Sequence, residues 1–238
     1  MGIIENFKLV YKNKDLRLLL LSRPLLTYIL QTEILPIFLF KSNIIQENVF
    51  LQSILLIFFM NIIPIADMTS FVMDYVRNIQ RFRLYLLFVS SIPLFLIGII
   101  LLSFYNNLTL PIFFLILALQ SVTIFSVRYN GVLIFPAFKK FNEEKVFFAI
   151  SQVNELFLQT TFALGALIVF LIGLYGVKVL AIFYLLSGIY EAITNGIRLR
   201  VHVESRDKTG ISISKQAFKE YFNLTKNNKR FFYIVFLL

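Results

Sequence analysis

Residues 84–127 read LYLLFVSSIPLFLIGIILLSFYNNLTLPIFFLILALQSVTIFSV and carry no charged side chain. Two apolar runs, Leu84 to Phe104 and Leu110 to Val127, flank the short polar turn Tyr105 to Thr109. A helix needs about 20 apolar residues to cross the hydrocarbon core of a bilayer. The stretch therefore predicts two membrane spans joined outside the core. The rest of the chain repeats the pattern. Further spans are expected over Leu16–Phe40, Val49–Val76, Val146–Ile172 and Val177–Ile197, with turns at Lys41–Asn48 and Gly173–Gly176. The whole chain is 58% hydrophobic with a mean hydropathy of +0.80. One soluble core could not hide that much apolar surface in 238 residues. The expected fold is an all-α membrane protein, a six-helix transmembrane bundle over residues 1–200. A cytoplasmic linker with an amphipathic helix follows over 201–230, and 231–238 begins a seventh span.

Charge sets the orientation. Of the 23 Lys and Arg, 20 fall before the first span, after the even-numbered spans or in the linker, which leaves Arg23, Lys41 and Lys178. The positive-inside rule places that basic side in the cytoplasm. The N-terminus and the linker are thus expected inside, in a multi-pass protein of the cell membrane. Richness in Phe, Ile, Leu, Asn and Lys suits an AT-rich, bacterial genome. The net charge of +10 sits at span ends rather than on an aromatic-interleaved surface, so anionic lipid headgroups, not nucleic acid, are its expected counterpart. The first span is too long for a signal-peptide core and lacks a small-residue cleavage site. With no cysteine, no disulfide or thiolate metal site is possible, and one histidine, His202, leaves little general acid–base chemistry beyond carboxylates; no nucleophile–base pair appears in the sequence. No enzyme activity, metal or other cofactor is expected.

Polar residues inside the spans are the functional candidates, because a charge at a helix centre costs roughly 2.5–3.5 kcal/mol on insertion scales. Tyr184, Ser187, Glu191, Thr194, Asn195 and Arg198 recur at helical spacing, and so do Gln152, Glu155 and Gln159. Glu155 is expected roughly 15 Å from the inner boundary, at 1.5 Å per residue. Asp67, Ser70 and Asp74 share a face of the second span, and the first holds Arg23 and Glu33. Burial moves the protonation of a carboxyl group toward neutral pH, as proton coupling requires. Glu33, Glu155, Glu191 and Asp67, with Arg23, are the candidates for coupling or substrate contact. Gly165 in the fifth span, and Gly188, Ala192 and Gly196 in the sixth, mark helix-packing seams. Pro24, Pro36, Pro64 and Pro93 are expected to kink or break their spans.

With these residues in view, the chain resembles a major facilitator superfamily transporter of the macrolide-efflux-like branch. The family motif between spans two and three runs Gly-x-x-x-Asp-Arg-x-Gly-Arg-Arg. Here Ser70 stands for its first glycine, Asp74 for its acid and Tyr75 for its arginine, while Arg77, Arg81 and Arg83 are displaced. The resemblance implies an inner-gate role for Ser70, Asp74, Arg77 and Arg81. The antiporter core Gly-Pro-x-x-Gly-Gly survives only as Gly165 in Gly165-Ala166-Leu167-Ile168-Val169. The family fold is two six-helix halves, each a pair of inverted three-helix repeats. It implies an N-terminal half that works with a C-terminal half or a homodimer partner. The implied function is proton-coupled efflux of a small amphipathic compound by alternating access. A non-transporting immunity or scaffold factor, and an inactive truncated half-transporter, stand as alternatives.

Overall fold

A computed structural model describes residues 3–21, 25–30, 34–40, 42–46, 48–76, 78–104, 108–139 and 144–201. Among them there is no strand. Five short helices, α1 (Ile3–Lys12), α2 (Lys14–Leu21), α3 (Leu25–Ile29), α4 (Leu35–Phe40) and α5 (Asn43–Gln46), precede the long ones. The long ones are α6 (Val49–Thr69), α7 (Ile79–Phe104), α8 (Leu110–Lys139), α9 (Glu144–Tyr175) and α10 (Val177–Arg198). Each of these five contains a segment long and apolar enough to cross a membrane. The linker over 201–230 and the segment 231–238 fall outside the described residues from His202 onward.

Local chemistry sets the element ends. Asn13 Oδ1 accepts from the backbone N–H of Asp15 at 3.0 Å and of Leu16 at 3.2 Å, capping α2. Asn48 is extended and accepts from the Leu51 N–H at 3.2 Å, capping α6. Asn78 accepts from the Arg81 N–H at 3.0 Å and starts α7. Gly176 joins α9 to α10 at φ 75°, a left-handed backbone that a side chain resists. After Thr69 the chain tightens into a 3-10 turn over Ser70–Tyr75.

The proline expectation divides. Pro64 lies inside α6 and Pro93 inside α7, and both helices run on through them. Pro36 lies in α4. Within the expected span Leu16–Phe40 the described residues are helical, while residues 22–24, which include Pro24, and 31–33 lie outside the described ones.

The outer surface suits lipid. On α10, Ile182, Leu186, Ile189 and Ile193 are about half exposed and form one stripe. At 100° per residue Glu191 points to the opposite side, about 180° from Ile182. Exposed Phe50, Ile57 and Met60 on α6 and Leu167 and Phe170 on α9 continue the apolar surface. Such a surface in water would exceed what a soluble monomer carries. The molecule is an α-helical multi-pass bundle by length and composition.

The most extensive contact runs between α7 and α10. Two glycines let the backbones approach. A Cβ at Gly188 would lie 3.1 Å from Ser91 O and 3.2 Å from Phe95 N. One at Gly98 would lie 2.8 Å from Leu185 Cγ and 3.0 Å from Ala181 O. Small residues at a contact are how membrane helices gain van der Waals packing, since lipid offers no hydrophobic drive between them. Leu94, Ile97, Phe113, Ile116, Leu180 and Tyr184 form the centre of the main core, between α7, α8 and α10.

Candidate functional site

The buried face of α10 carries the polar series anticipated from its spacing. Tyr184, Ser187, Glu191, Thr194 and Asn195 are all buried. Glu191 is 1% exposed, and α3 and α7 supply its surroundings together with its own helix. Thr27 of α3 donates its hydroxyl to Glu191 Oε2 at 2.8 Å. Asn195, one turn along α10, donates Nδ2 to Glu191 Oε1 at 2.7 Å. The same amide reaches Ser90 Oγ of α7 at 3.3 Å, and Asn130 of α8 donates Nδ2 to Asn195 Oδ1 at 3.0 Å. Four helices therefore meet around one carboxylate. Nearer the start of α10, Tyr184 donates to Leu30 O at 3.3 Å, which covers a carbonyl at the end of α3.

This geometry accommodates a proton. Thr27 Oγ1 lies 3.1 Å from Ser187 Oγ, close enough for a hydrogen bond in either sense. When a proton arrives on Oε2, the Thr27 hydroxyl can rotate toward Ser187 and accept from the carboxyl group. One rotor turns and no helix moves. Hydroxyls suit this exchange because each is both donor and acceptor.

Among the described residues three buried amides are incompletely paired: Asn6, through its Oδ1, Asn130 and Gln120. Asn130 Oδ1 has no partner, and Gln120, fully buried on α8, has none for either atom of its amide. An unpaired buried amide costs about 1–3 kcal/mol by mutational measures. Thr123 and Ser126 on the same stretch donate to Leu119 O and Val122 O of their own helix.

The C-terminal end of α10 is held by Arg83, which is 1% exposed. Its guanidinium donates to Arg198 O at 2.6 Å, Val201 O at 3.0 Å and Gln80 Oε1 at 3.2 Å. Gln80 also donates to Leu199 O. A cation at the negative end of a helix, donating to the carbonyls at and just beyond its last turn, is a strong C-terminal cap.

The remaining candidates are dispersed. Glu155 and Gln159 are exposed on α9, whereas Gln152 pairs with Asn6 of α1 at 2.5 Å. Glu155 is not among the residues that hydrogen-bond to the Glu191 carboxylate. Asp67 forms an ion pair with Arg128 of α8 at 3.7 Å, both side chains well exposed. Beside it Tyr129 donates to Thr69 Oγ1 at 2.9 Å. Ser70 donates to Asp67 O at 2.6 Å, Asp74 lies in the 3-10 turn, and Arg81 is exposed on the first turn of α7. Gly165 is buried on α9. Gly188 occupies a close contact, but a Cβ at Gly196 would meet nothing within 4 Å, so the small-residue seam opens before the end of α10. Arg23, Glu33 and Arg77 lie outside the described residues. Among the described residues no group of three His, Cys, Asp or Glu side chains gathers.

Sequence reading missed Thr27, Ser90, Asn130, Gln120 and Arg83. Arg83 had a signal. It belongs to the buried series Ile79, Arg83, Leu86, Ser90, Leu94, Ile97 and Leu101 of α7, which marks it as inward-facing.

Compared with known proteins, the chain matches no family model, no curated protein and no solved structure.

Proposed function

We propose that this chain is a secondary active transporter, in which Glu191 binds and releases a coupling proton while the bundle exports a small amphipathic compound by alternating access. The observation that carries the reading is a nearly inaccessible carboxylate on a membrane-length helix, held by the neutral donors Thr27 and Asn195 with a second hydroxyl ready to take over. Placing a charge there costs roughly 2.5–3.5 kcal/mol, and intramembrane ionisable groups mark ion and substrate paths by default. The exposed pair Asp67–Arg128, beside the 3-10 turn that holds Asp74, supports an inner contact that opens and closes. The proposal includes the finer architecture: a six-span bundle of two inverted repeats in a bacterial cell membrane, its N-terminus and linker cytoplasmic. It works with a C-terminal half or a second copy, as a major facilitator half would.

A second reading is a non-transporting membrane protein, in which Glu191 ties helices together. Its support is that both carboxylate oxygens already accept hydrogen bonds.

Everted vesicles with an acid interior, challenged with a panel of fluorescent lipophilic cations and neutral dyes, separate the two. Gradient-driven accumulation that disappears in Glu191→Gln, with the thermal midpoint kept, is the expected result. Equal accumulation by Glu191→Gln removes Glu191 as the proton carrier. A folded protein that accumulates no dye of the panel favours the second reading.

A further inference from the structure

We propose that the outward face of α1 and its elbow with α2 form a docking surface for anionic phospholipid headgroups. This rests on the multi-pass fold and not on transport. α1 is amphipathic, but its inner side is already occupied by protein. Asn6, fully buried, donates to Gln152 of α9, and Val10 and Leu16 pack with Ala149 and Val153. The helix is thus fixed to the bundle through Asn6, Phe7 and Val10.

Its position is set by those contacts. They fall on Ala149–Val153, within the first three turns of α9. A helix of 32 residues is about 48 Å long against a hydrocarbon core of about 30 Å, so its N-terminal turns, which open on Glu144 and Lys145, extend to the level of the headgroups. The outward face there presents Lys8, Tyr11, Lys12 and Lys14, all exposed, and Arg17 lies over the Tyr11 ring at 4.9 Å. Glu5 and Asp15 share the segment and leave four cations against two carboxylates. Tyrosine favours the interface because its ring and hydroxyl suit opposite sides of it. Lysines on flexible stems can reach a phosphate, and each basic residue near an anionic surface strengthens association about fivefold.

The test uses the full chain in neutral detergent, titrated with short-chain phosphatidylglycerol or phosphatidylcholine, while amide exchange is followed over residues 3–17. Phosphatidylglycerol should slow exchange in α1, phosphatidylcholine should not, and soluble glycerol phosphate should have little effect. The triple variant Lys8→Gln/Lys12→Gln/Lys14→Gln should weaken the phosphatidylglycerol response by roughly a hundredfold. Removing charge elsewhere, as in Arg81→Gln/Arg200→Gln, should leave it in place. If the triple variant misfolds, Lys12→Gln alone should weaken the response about fivefold. Equal protection by the two lipids, an equal response to glycerol phosphate, or a response indifferent to the lysines overturns the proposal.

Discussion

The guanidinium of Arg83 on α7 holds the carbonyl of Arg198 at 2.6 Å, so one buried cation secures the end of the last membrane-length helix described. It also holds Val201 O at 3.0 Å. Arg83→Met should destabilise the protein by about 3 kcal/mol, the scale of charge-assisted bonds lost from a buried site. Arg83→Lys should recover less than half of that, because an ammonium cannot span two carbonyls as the guanidinium fork does. Thermal unfolding in detergent measures both, and limited proteolysis near Leu199–Val201 should speed up in parallel.

Replacements of Glu191 separate shape from charge. Glu191→Gln keeps an acceptor, and the Thr27 hydroxyl can reverse to meet an amide donor, so stability should change by less than about 1 kcal/mol. Glu191→Leu leaves Asn195 and Thr27 short of an acceptor and should cost about 2 kcal/mol or more. Equal midpoints for the two variants would mean that the hydrogen bonds at 2.7 and 2.8 Å contribute nothing.

Gly188 and Gly196, about two helical turns apart on α10, should behave in opposite ways. Gly188→Ala places a methyl group against the backbone of Ser91 and Phe95, which cannot yield, and should cost about 1–3 kcal/mol. Gly196→Ala meets open space and should add up to about 1 kcal/mol through helix propensity. Melting of the two variants side by side reads the contrast directly.

Gln120 offers a gain. Its amide is buried without partners, so Gln120→Leu, of similar volume, should raise stability by about 1 kcal/mol or more. A fall in the melting temperature would show that the amide is satisfied in the membrane.

Much of this was legible from the chain. The charge-free stretch over 84–127 gave α7 and α8, and the spacing of Tyr184, Ser187, Glu191 and Asn195 gave the buried face of α10. Periodicity failed where it has no reference direction. Glu155 and Gln159 repeat at helical spacing as Glu191 and Asn195 do, yet only the second pair faces the bundle. A polar stripe states which residues share a side of a helix and not which neighbour that side meets. Thr27 and Asn130 were invisible for a related reason, since each matters only through a partner 164 or 65 positions away. Arg83 was counted among the topology charges because basic residues at span ends normally reach water. Its burial follows from the approach of the α10 end to the start of α7.

That cap has a consequence for biogenesis. The acceptor at Arg198 lies 115 residues downstream of Arg83. At typical synthesis rates the guanidinium waits roughly 6–23 s after leaving the ribosomal active centre before its carbonyls exist. The α7–α8 hairpin can enter the bilayer early, but its polar edge stays unmet until α10 emerges. Assembly of this contact is therefore late and directional: α10 is its keystone, and a chain halted before α10 presents an orphan arginine for quality-control proteases to read.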